Sequence, residues 1–131
     1  MQRLKIIALE PADIAVVAAH LQDAVFGIAD LDYSGSAKRV VALLNRYVWE
    51  QESNPGGEGE RRRCALRVDR VLRARSTGID RQAKGAIRSV LTIEFKPDVT
   101  SPPAGTLTIV CAGGASIQLD VECVEIVLED L

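Results

Sequence analysis

The chain is poor in the residues that carry most recognisable chemistry. Among its 131 residues there is one histidine, His20, and aromatic residues make up 4%. Because one imidazole cannot build a multi-histidine metal site, that class of site is excluded within one chain. Few aromatic rings also leave little surface on which nucleic-acid bases could stack. We find no catalytic motif and expect neither a metal nor a cofactor.

Cysteine is scarce as well. Cys64, Cys111 and Cys123 form no C-x-x-C pair, and their number is odd. This argues against a disulfide framework or a zinc site. Each lies in an apolar strand pattern, which predicts buried, reduced thiols and a cytoplasmic protein. Core packing is favoured over a nucleophilic role even for Cys64, which follows three arginines.

Long apolar runs are missing too. Arg3 and Lys5 precede an apolar stretch, but Glu10 and Pro11 soon interrupt it. We therefore expect neither an export signal nor a membrane span. The length suits one domain covering 1–131, and a hydrophobic fraction of 47% can supply its core.

Apolar residues near the N-terminus recur with the period of a helix. Ile14, Val17, Leu21 and Val25 are spaced three or four residues apart. This spacing places them on one stripe and predicts a helix over about 11–24, the only helix that we expect. Pro11 suits its first turn.

One short strand before the helix, and the β-branched residues and period of two that follow it, predict about seven strands. We place them at 4–9, 25–33, 41–50, 64–76, 87–96, 106–112 and from 116 onward. In the third strand, the residues expected to share one face are Val41, Leu43, Asn45, Tyr47 and Trp49. The second and third strands should pair as a hairpin.

Four local signals refine this pattern. Arg70 and Val71 break the alternation of their strand, which predicts a β-bulge. Gly113-Gly114 predicts a tight hairpin. The segment after Cys123 is either strand or helix, and its β-branched residues favour strand. Residues 51–60 read as a solvated loop.

Short, hairpin-like links between strands predict antiparallel pairing. The expected fold is α+β, with a predominantly antiparallel β-sheet or partly closed barrel of about seven strands and one N-terminal helix. A barrel plugged by the helix and an open sheet with the helix on one face are both compatible with the pattern.

Several segments together resemble a known family. They are HLQDAV at 20–25, LLNRYVWE at 43–50, RRCALRVDRVL at 62–72, GIDR at 78–81 and AGGASIQLDVECVEIVLEDL at 112–131. The chain resembles small proteobacterial proteins catalogued as domain of unknown function 2948. The resemblance spans nearly the whole chain and implies a self-contained domain whose central loop varies in length. It carries no activity, ligand or catalytic residue.

His20 is the one candidate for imidazole chemistry. Asp23 follows it by three residues, a spacing that would let the carboxylate orient the ring or share a metal ion. A helical histidine beside an aspartate is more often a surface pair, and we favour that interpretation.

Charge is distributed unevenly along the chain. Residues 61–88 contain nine arginines and Lys84 against Asp69 and Asp80, so this segment carries 10 − 2 = +8. Since the whole chain is −2, the remainder carries −10. Such a basic segment is typical of a surface that contacts phosphates or an acidic partner.

Two interpretations of this charge remain open. In the first, Arg67, Arg73 and Arg75 form an anion-binding or partner-binding surface near Tyr47 or Trp49. In the second, the arginines pair across strands with acidic residues, namely Glu94, Asp120 and Glu122. We favour the second, because an acidic protein is a poor ligand for nucleic acid.

Three functions from different classes follow. The first is a non-catalytic protein-interaction or binding module, with a homodimer as one form of it; an exposed apolar patch containing Val48 or Trp49 would favour it. The second is an RNA- or anion-binding module that uses the arginine-rich segment 61–88. The third is an enzyme with an unrecognised site, and we rank it last.

Overall fold

The helix is shorter than the sequence predicts. The computed structural model describes residues 3–49 and 60–131. A 3-10 turn, Pro11–Asp13, leads into the helix α1, Ile14–Leu21. Asp23 has a left-handed backbone with φ of 64°, and the Ala24 N–H bonds the Leu21 carbonyl at 2.9 Å. The predicted range of 11–24 was therefore wrong at both ends.

The described chain contains ten strands rather than about seven. They are β1 (Lys5–Ala8), β2 (Val25–Gly27), β3 (Leu31–Ser34), β4 (Arg39–Tyr47), β5 (Arg61–Asp69), β6 (Val71–Thr77), β7 (Ile87–Pro97), β8 (Gly105–Cys111), β9 (Ser116–Val121) and β10 (Ile126–Asp130). Part of the difference lies in residues 25–33, where the 3-10 turn Ile28–Asp30 divides one predicted strand into β2 and β3.

All strand pairs are antiparallel and belong to one sheet, as the sequence predicts. The order is β1-β10-β5-β4-β2-β7-β8-β9-β6, and β3 pairs with β4 as the predicted hairpin. The two ends of this order, β1 and β6, do not pair with each other, so the sheet is not closed into a barrel.

Residues 64–76 lie in two strands because the chain turns at Arg70. This residue has a positive φ of 63° and joins β5 to β6. β5 pairs with β4 and β10, whereas β6 pairs with β9, so the chain passes here between two halves of the sheet. We call β1 to β5 with β10 the first half, and β6 to β9 the second half. The register with β9 shifts between Val71 and Arg73, which confirms the predicted irregularity.

The C-terminal part of the chain follows the sequence pattern. A 3-10 turn, Ala112–Gly114, joins β8 to β9 as the predicted hairpin. Gly113 and Gly114 both have positive φ, a conformation that glycine adopts without steric cost. The segment after Cys123 forms β10, which confirms strand rather than helix.

Buried residues from α1 and from both halves of the sheet form one hydrophobic cluster. α1 packs against β7, β4 and β1. Its buried stripe is Ile14, Val17 and Leu21, as predicted, whereas Val25, the fourth residue of the predicted stripe, lies in β2. None of the helices in 3–49 and 60–131 has the length and apolar character of a membrane span.

The buried face of β4 consists of its even-numbered residues. Its buried residues are Val40, Ala42, Leu44 and Arg46. Of the five residues predicted to share a face, four lie on the other face of β4, and Trp49 follows the end of the strand. Val48 follows β4 and is only 3% exposed, so it is not part of a surface patch. The predicted loop 51–60 lies outside the described residues except for Glu60.

Candidate functional site

A cavity of about 370 Å³ lies between the two halves of the sheet. Its described lining comes from strands of both halves and from the segment between β6 and β7, without a contribution from α1. The apolar lining residues are Leu31, Val40, Ala42, Leu66, Val68, Ala74, Ile79, Ile109, Ile117 and Leu119. This volume falls in the range of small-molecule sites, about 300 to 1,000 Å³.

The strand pattern explains both the lining and the space. Alternate residues of a strand point to one face, so each strand contributes apolar side chains to the interior. Two of the lining residues are small, Ala42 on β4 and Ala74 on β6. Their methyl groups leave room that the branched side chains used elsewhere in the core would fill.

Exposed polar side chains mark the mouth of the cavity. Asp32 and Tyr33 come from β3, Arg75 and Ser76 from β6, and Arg81 from the following segment. Among the described strands, β3 pairs with β4 alone and β6 with β9 alone. The mouth therefore lies between two strands that are not hydrogen-bonded to each other.

The two arginines at the mouth differ in their partners. Arg75 Nη2 donates to Asp120 Oδ1 at 2.8 Å, and the Thr106 hydroxyl donates to the same oxygen at 3.1 Å. Arg81 makes no hydrogen bond or ion pair with any side chain or backbone group that the structure describes. One guanidinium is thus neutralised, and the other bonds no group within 3–49 and 60–131, which leaves its donors available to a ligand there.

The structure separates the three arginines that the sequence singles out. Arg67 lies on β5 in the first half, where its Nε donates to Asp69 at 3.1 Å. Arg73 and Arg75 lie on β6 in the second half, and Arg73 is opposite Asp120 in the strand register. Arg73 has no ion pair within the described residues, so only Arg75 combines a pairing partner with a position on the cavity.

Three further arginines, located in β5 or directly after it, pair with acidic side chains. The pairs are Arg62 with Glu60 and Asp130, Arg63 with Asp30, and Arg70 with Glu122 and Glu125. Lys38 also donates to Glu122 at 2.6 Å, and this hydrogen bond and charge lower the pKa of Glu122. Cross-strand pairing thus involves Asp120 and Glu122, as expected, whereas Glu94 has no ion pair in the described part.

A buried ion pair fixes the first half of the sheet. Arg46 on β4 donates from Nε and Nη2 to the two carboxylate oxygens of Asp130, at 2.8 and 2.9 Å. The Leu4 backbone N–H donates to the same carboxylate at 2.9 Å. Burial alone would raise the pKa of Asp130, but these hydrogen bonds and the charges of Arg46 and Arg62 outweigh it and lower the pKa.

The remaining candidates lie away from the cavity. Burial raises the pKa of Cys64 to about 11 and also raises that of Cys111, so both thiols are poor nucleophiles. His20 Nδ1 is 2.9 Å from the Val16 carbonyl of its own helix. No group of histidine, cysteine and carboxylate side chains that could hold a metal ion occurs in the described ranges.

Neither Arg81 nor the Arg46–Asp130 pair was singled out as a candidate from the sequence. Arg81 entered only as one charge of the basic segment, because nothing in a linear pattern shows that it lies on a cavity. Arg46 did carry a signal, since it shares the parity of Val40, Ala42 and Leu44 on β4. A charged residue at a core position predicts a buried partner, which here lies 84 residues away.

Comparison with known proteins gives a family without a described activity. No curated protein gives a significant match to the chain. No solved structure does so either. One family matches from Leu4 to the last residue, in agreement with the resemblance carried by the segments between 20 and 131. The chain belongs to the family described as protein of unknown function (DUF2948), whose model matches residues 4–131.

Proposed function

We propose that the chain is a non-catalytic binding domain that holds a small, largely apolar molecule in its cavity. The observation that carries this proposal is the volume of about 370 Å³ with apolar walls from both halves of the sheet. Close-packed protein interiors contain few voids larger than a water molecule. A cavity of this size with an exposed mouth is therefore better explained as a ligand site than as a packing defect.

The side chains around the cavity favour binding over catalysis. Its described lining includes no histidine or cysteine, and its one carboxylate, Asp32, lies at the mouth. A hydrolytic or group-transfer site would need a base or nucleophile that faces the bound molecule. The walls offer contact area instead of reactive groups.

A small molecule is favoured here over a protein partner as the ligand. Val48, whose exposure would support a protein-binding patch, is buried. Trp49 packs against Tyr47 with ring centroids 4.5 Å apart and donates its indole N–H to the Gln22 carbonyl at 3.0 Å. Trp49 thus connects the segment after β4 to the residue that follows α1.

We place this function in the cytoplasm. Cys64 and Cys111 are free and buried in the core. Thiols of this kind persist in reducing compartments, whereas exported proteins usually carry disulfides.

The proposal is tested with the neutral fluorescent probe N-phenyl-1-naphthylamine. Its emission should rise on binding to the native chain. The substitution Ala74→Leu fills part of the cavity and should weaken binding about tenfold, which corresponds to about 1.4 kcal/mol. Ala65→Leu is the matched control, because Ala65 lies on β5 outside the cavity lining.

Equal probe affinity of the native chain, Ala74→Leu and Ala65→Leu would contradict the proposal. Circular dichroism should verify the fold of each variant. If Ala74→Leu does not fold, Ser76→Leu replaces it, because Ser76 lines the mouth where the side chain is exposed.

A further inference from the structure

We infer that the molecule held in the cavity carries an anionic head group and that Arg81 binds this group at the mouth. The inference rests on the proposed function and extends it, because apolar walls alone select no head group. It assigns the ligand to a chemical class, an apolar tail with a carboxylate or phosphate at one end.

The position of Arg81 is the first step. The segment between β6 and β7 folds through its own hydrogen bonds, such as Gln82 N–H to Asp80 Oδ1 at 3.0 Å and Ala86 N–H to the Ala83 carbonyl at 2.9 Å. These turns present Arg81 at the cavity next to the exposed residues of β6. The turn holds the backbone of Arg81, so the backbone has less conformational freedom to lose on binding.

The second observation is that Arg81 has no carboxylate partner among the described residues. Arg39, Arg63 and Arg75 each contact an acidic side chain in the described structure, at 2.6, 3.6 and 2.8 Å. Arg81, on the cavity itself, contacts none there. A guanidinium presents five N–H donors in a planar fork that matches the two oxygens of a carboxylate or phosphate. Of the two arginines on the cavity, the one without an acidic partner in the described structure is thus the one placed to meet an external anion.

A second arginine beside the same segment strengthens this positive field. Arg88 on β7 reaches only carbonyls, those of Ile87 at 3.4 Å and Gly78 at 3.5 Å. Its Nε is buried and lacks a partner among the described residues. Gly78 precedes Ile79, which lines the cavity, whereas Arg88 itself is not part of the lining. Its charge therefore adds to the positive field of this segment without a direct contact to the cavity.

The charge balance favours an anion over a cation. Residues 71–88 contain Arg73, Arg75, Arg81, Lys84 and Arg88 against Asp80, so this side of the mouth carries 5 − 1 = +4. The carboxylate of Asp120 offsets Arg75. Asp32 on the opposite side is the one acidic lining residue, and it is the group that a cationic ligand would use. The excess of positive charge attracts an anion to the Arg81 side.

The experiment compares four ligands with the same eight-carbon tail by isothermal titration calorimetry on the full chain. Octanoate and octyl phosphate carry anions, 1-octanol is neutral, and octylamine is a cation. We expect at least one anion to bind about tenfold more tightly than 1-octanol and octylamine, because a hydrogen bond between two charged groups is stronger than one between neutral groups. The tighter anion identifies the head group as carboxylate or phosphate.

Variants assign the effect to Arg81. Arg81→Gln should abolish the preference for the anion, whereas Arg81→Lys should keep part of it. Arg73→Gln is the matched control: it removes the same charge from β6 but lies outside the cavity lining, so it should lower anion affinity much less than Arg81→Gln does. Equal losses in Arg81→Gln and Arg73→Gln would overturn the assignment to Arg81.

The outcomes separate the inference from the function on which it rests. If 1-octanol binds as tightly as both anions, the cavity binds apolar molecules but the inference is overturned. Tightest binding of octylamine overturns it as well and assigns the head group to Asp32. If none of the four ligands binds and N-phenyl-1-naphthylamine does not bind, the proposed function itself fails.

Discussion

Arg46 and Asp130 are an ion pair in which both side chains are only 1% exposed. Removing such charges from water is costly, and the two parallel hydrogen bonds offset this cost only when both partners are present. Loss of one partner leaves a buried, uncompensated charge. The pair also receives the Leu4 N–H, so it connects β1, β4 and β10.

The substitution Asp130→Asn should lower the free energy of unfolding by about 3 to 5 kcal/mol at neutral pH, as for other broken buried pairs. Urea denaturation of the native chain and the variant measures this free energy. Asp120→Asn is the control, because Asp120 pairs with Arg75 at the surface and should cost less than about 1 kcal/mol. Equal, small effects of the two substitutions would contradict the buried-pair account.

The same residue makes stability depend on pH. The pKa of Asp130 is lowered in the folded chain, so its contribution is present above the ordinary aspartate pKa of about 3.9 and is lost as the pH falls through the folded value. The stability difference between the native chain and Asp130→Asn should therefore shrink on acidification below about pH 4. A difference that stays constant to lower pH would show that the carboxylate does not supply it.

At the scale of elements, β7 and β8 approach so closely that the start of β8 needs glycine. A Cβ on Gly105 would lie 2.5 Å from the Lys96 carbonyl and would also overlap the ring of Phe95. Both neighbours belong to β7, whose backbone is held by cross-strand hydrogen bonds. The requirement for glycine is therefore steric.

Gly105→Ala should destabilise the chain by about 1 to 3 kcal/mol, the usual cost of overpacking. Gly85→Ala is the matched control, since nothing lies within 4 Å of a Cβ at that position and its φ is not positive. The two urea midpoints provide the measurement. A Gly105→Ala midpoint no lower than that of Gly85→Ala would disprove the steric account.

The sequence predicts the presence of a helix or strand better than its first and last residues or the strand with which it pairs. The stripe Ile14, Val17, Leu21 follows from helical spacing, but the end of α1 depends on the left-handed Asp23, which propensity does not favour. Alternation predicts one strand over 64–76 with an irregularity at Arg70 and Val71, where the structure has the two strands β5 and β6. It does not show that β5 pairs with β10, because pairing between distant strands leaves no local signal.

For the whole molecule, the cavity exists because the two halves of the sheet face each other. Its lining residues lie between Leu31 and Leu119, and in the sequence they read only as ordinary core positions. Of the three arginines that charge singled out, Arg75 lies at this site. Arg81 could not be distinguished, because its importance depends on which arginines have acidic neighbours in space.

Overall charge bears on nucleic-acid binding. The chain carries −2, and acids pair with much of its basic segment. We expect a fluorescein-labelled single-stranded RNA to bind weakly at low salt and to dissociate by about 0.15 M salt, since such binding is mainly electrostatic. Fluorescence anisotropy measures it. Tight binding at 0.15 M salt that disappears when Arg73 and Arg75 become alanine would instead support the RNA-binding alternative.

The position of β1 has a consequence for synthesis on the ribosome. Among the described strands, β1 pairs with β10 alone, and the Leu4 N–H and the Asp130 carboxylate are 126 residues apart in the chain. Translation therefore delivers these two partners far apart in time. β1 stays without its hydrogen-bonding neighbour in the nascent chain until β10 has been synthesised and has left the exit tunnel.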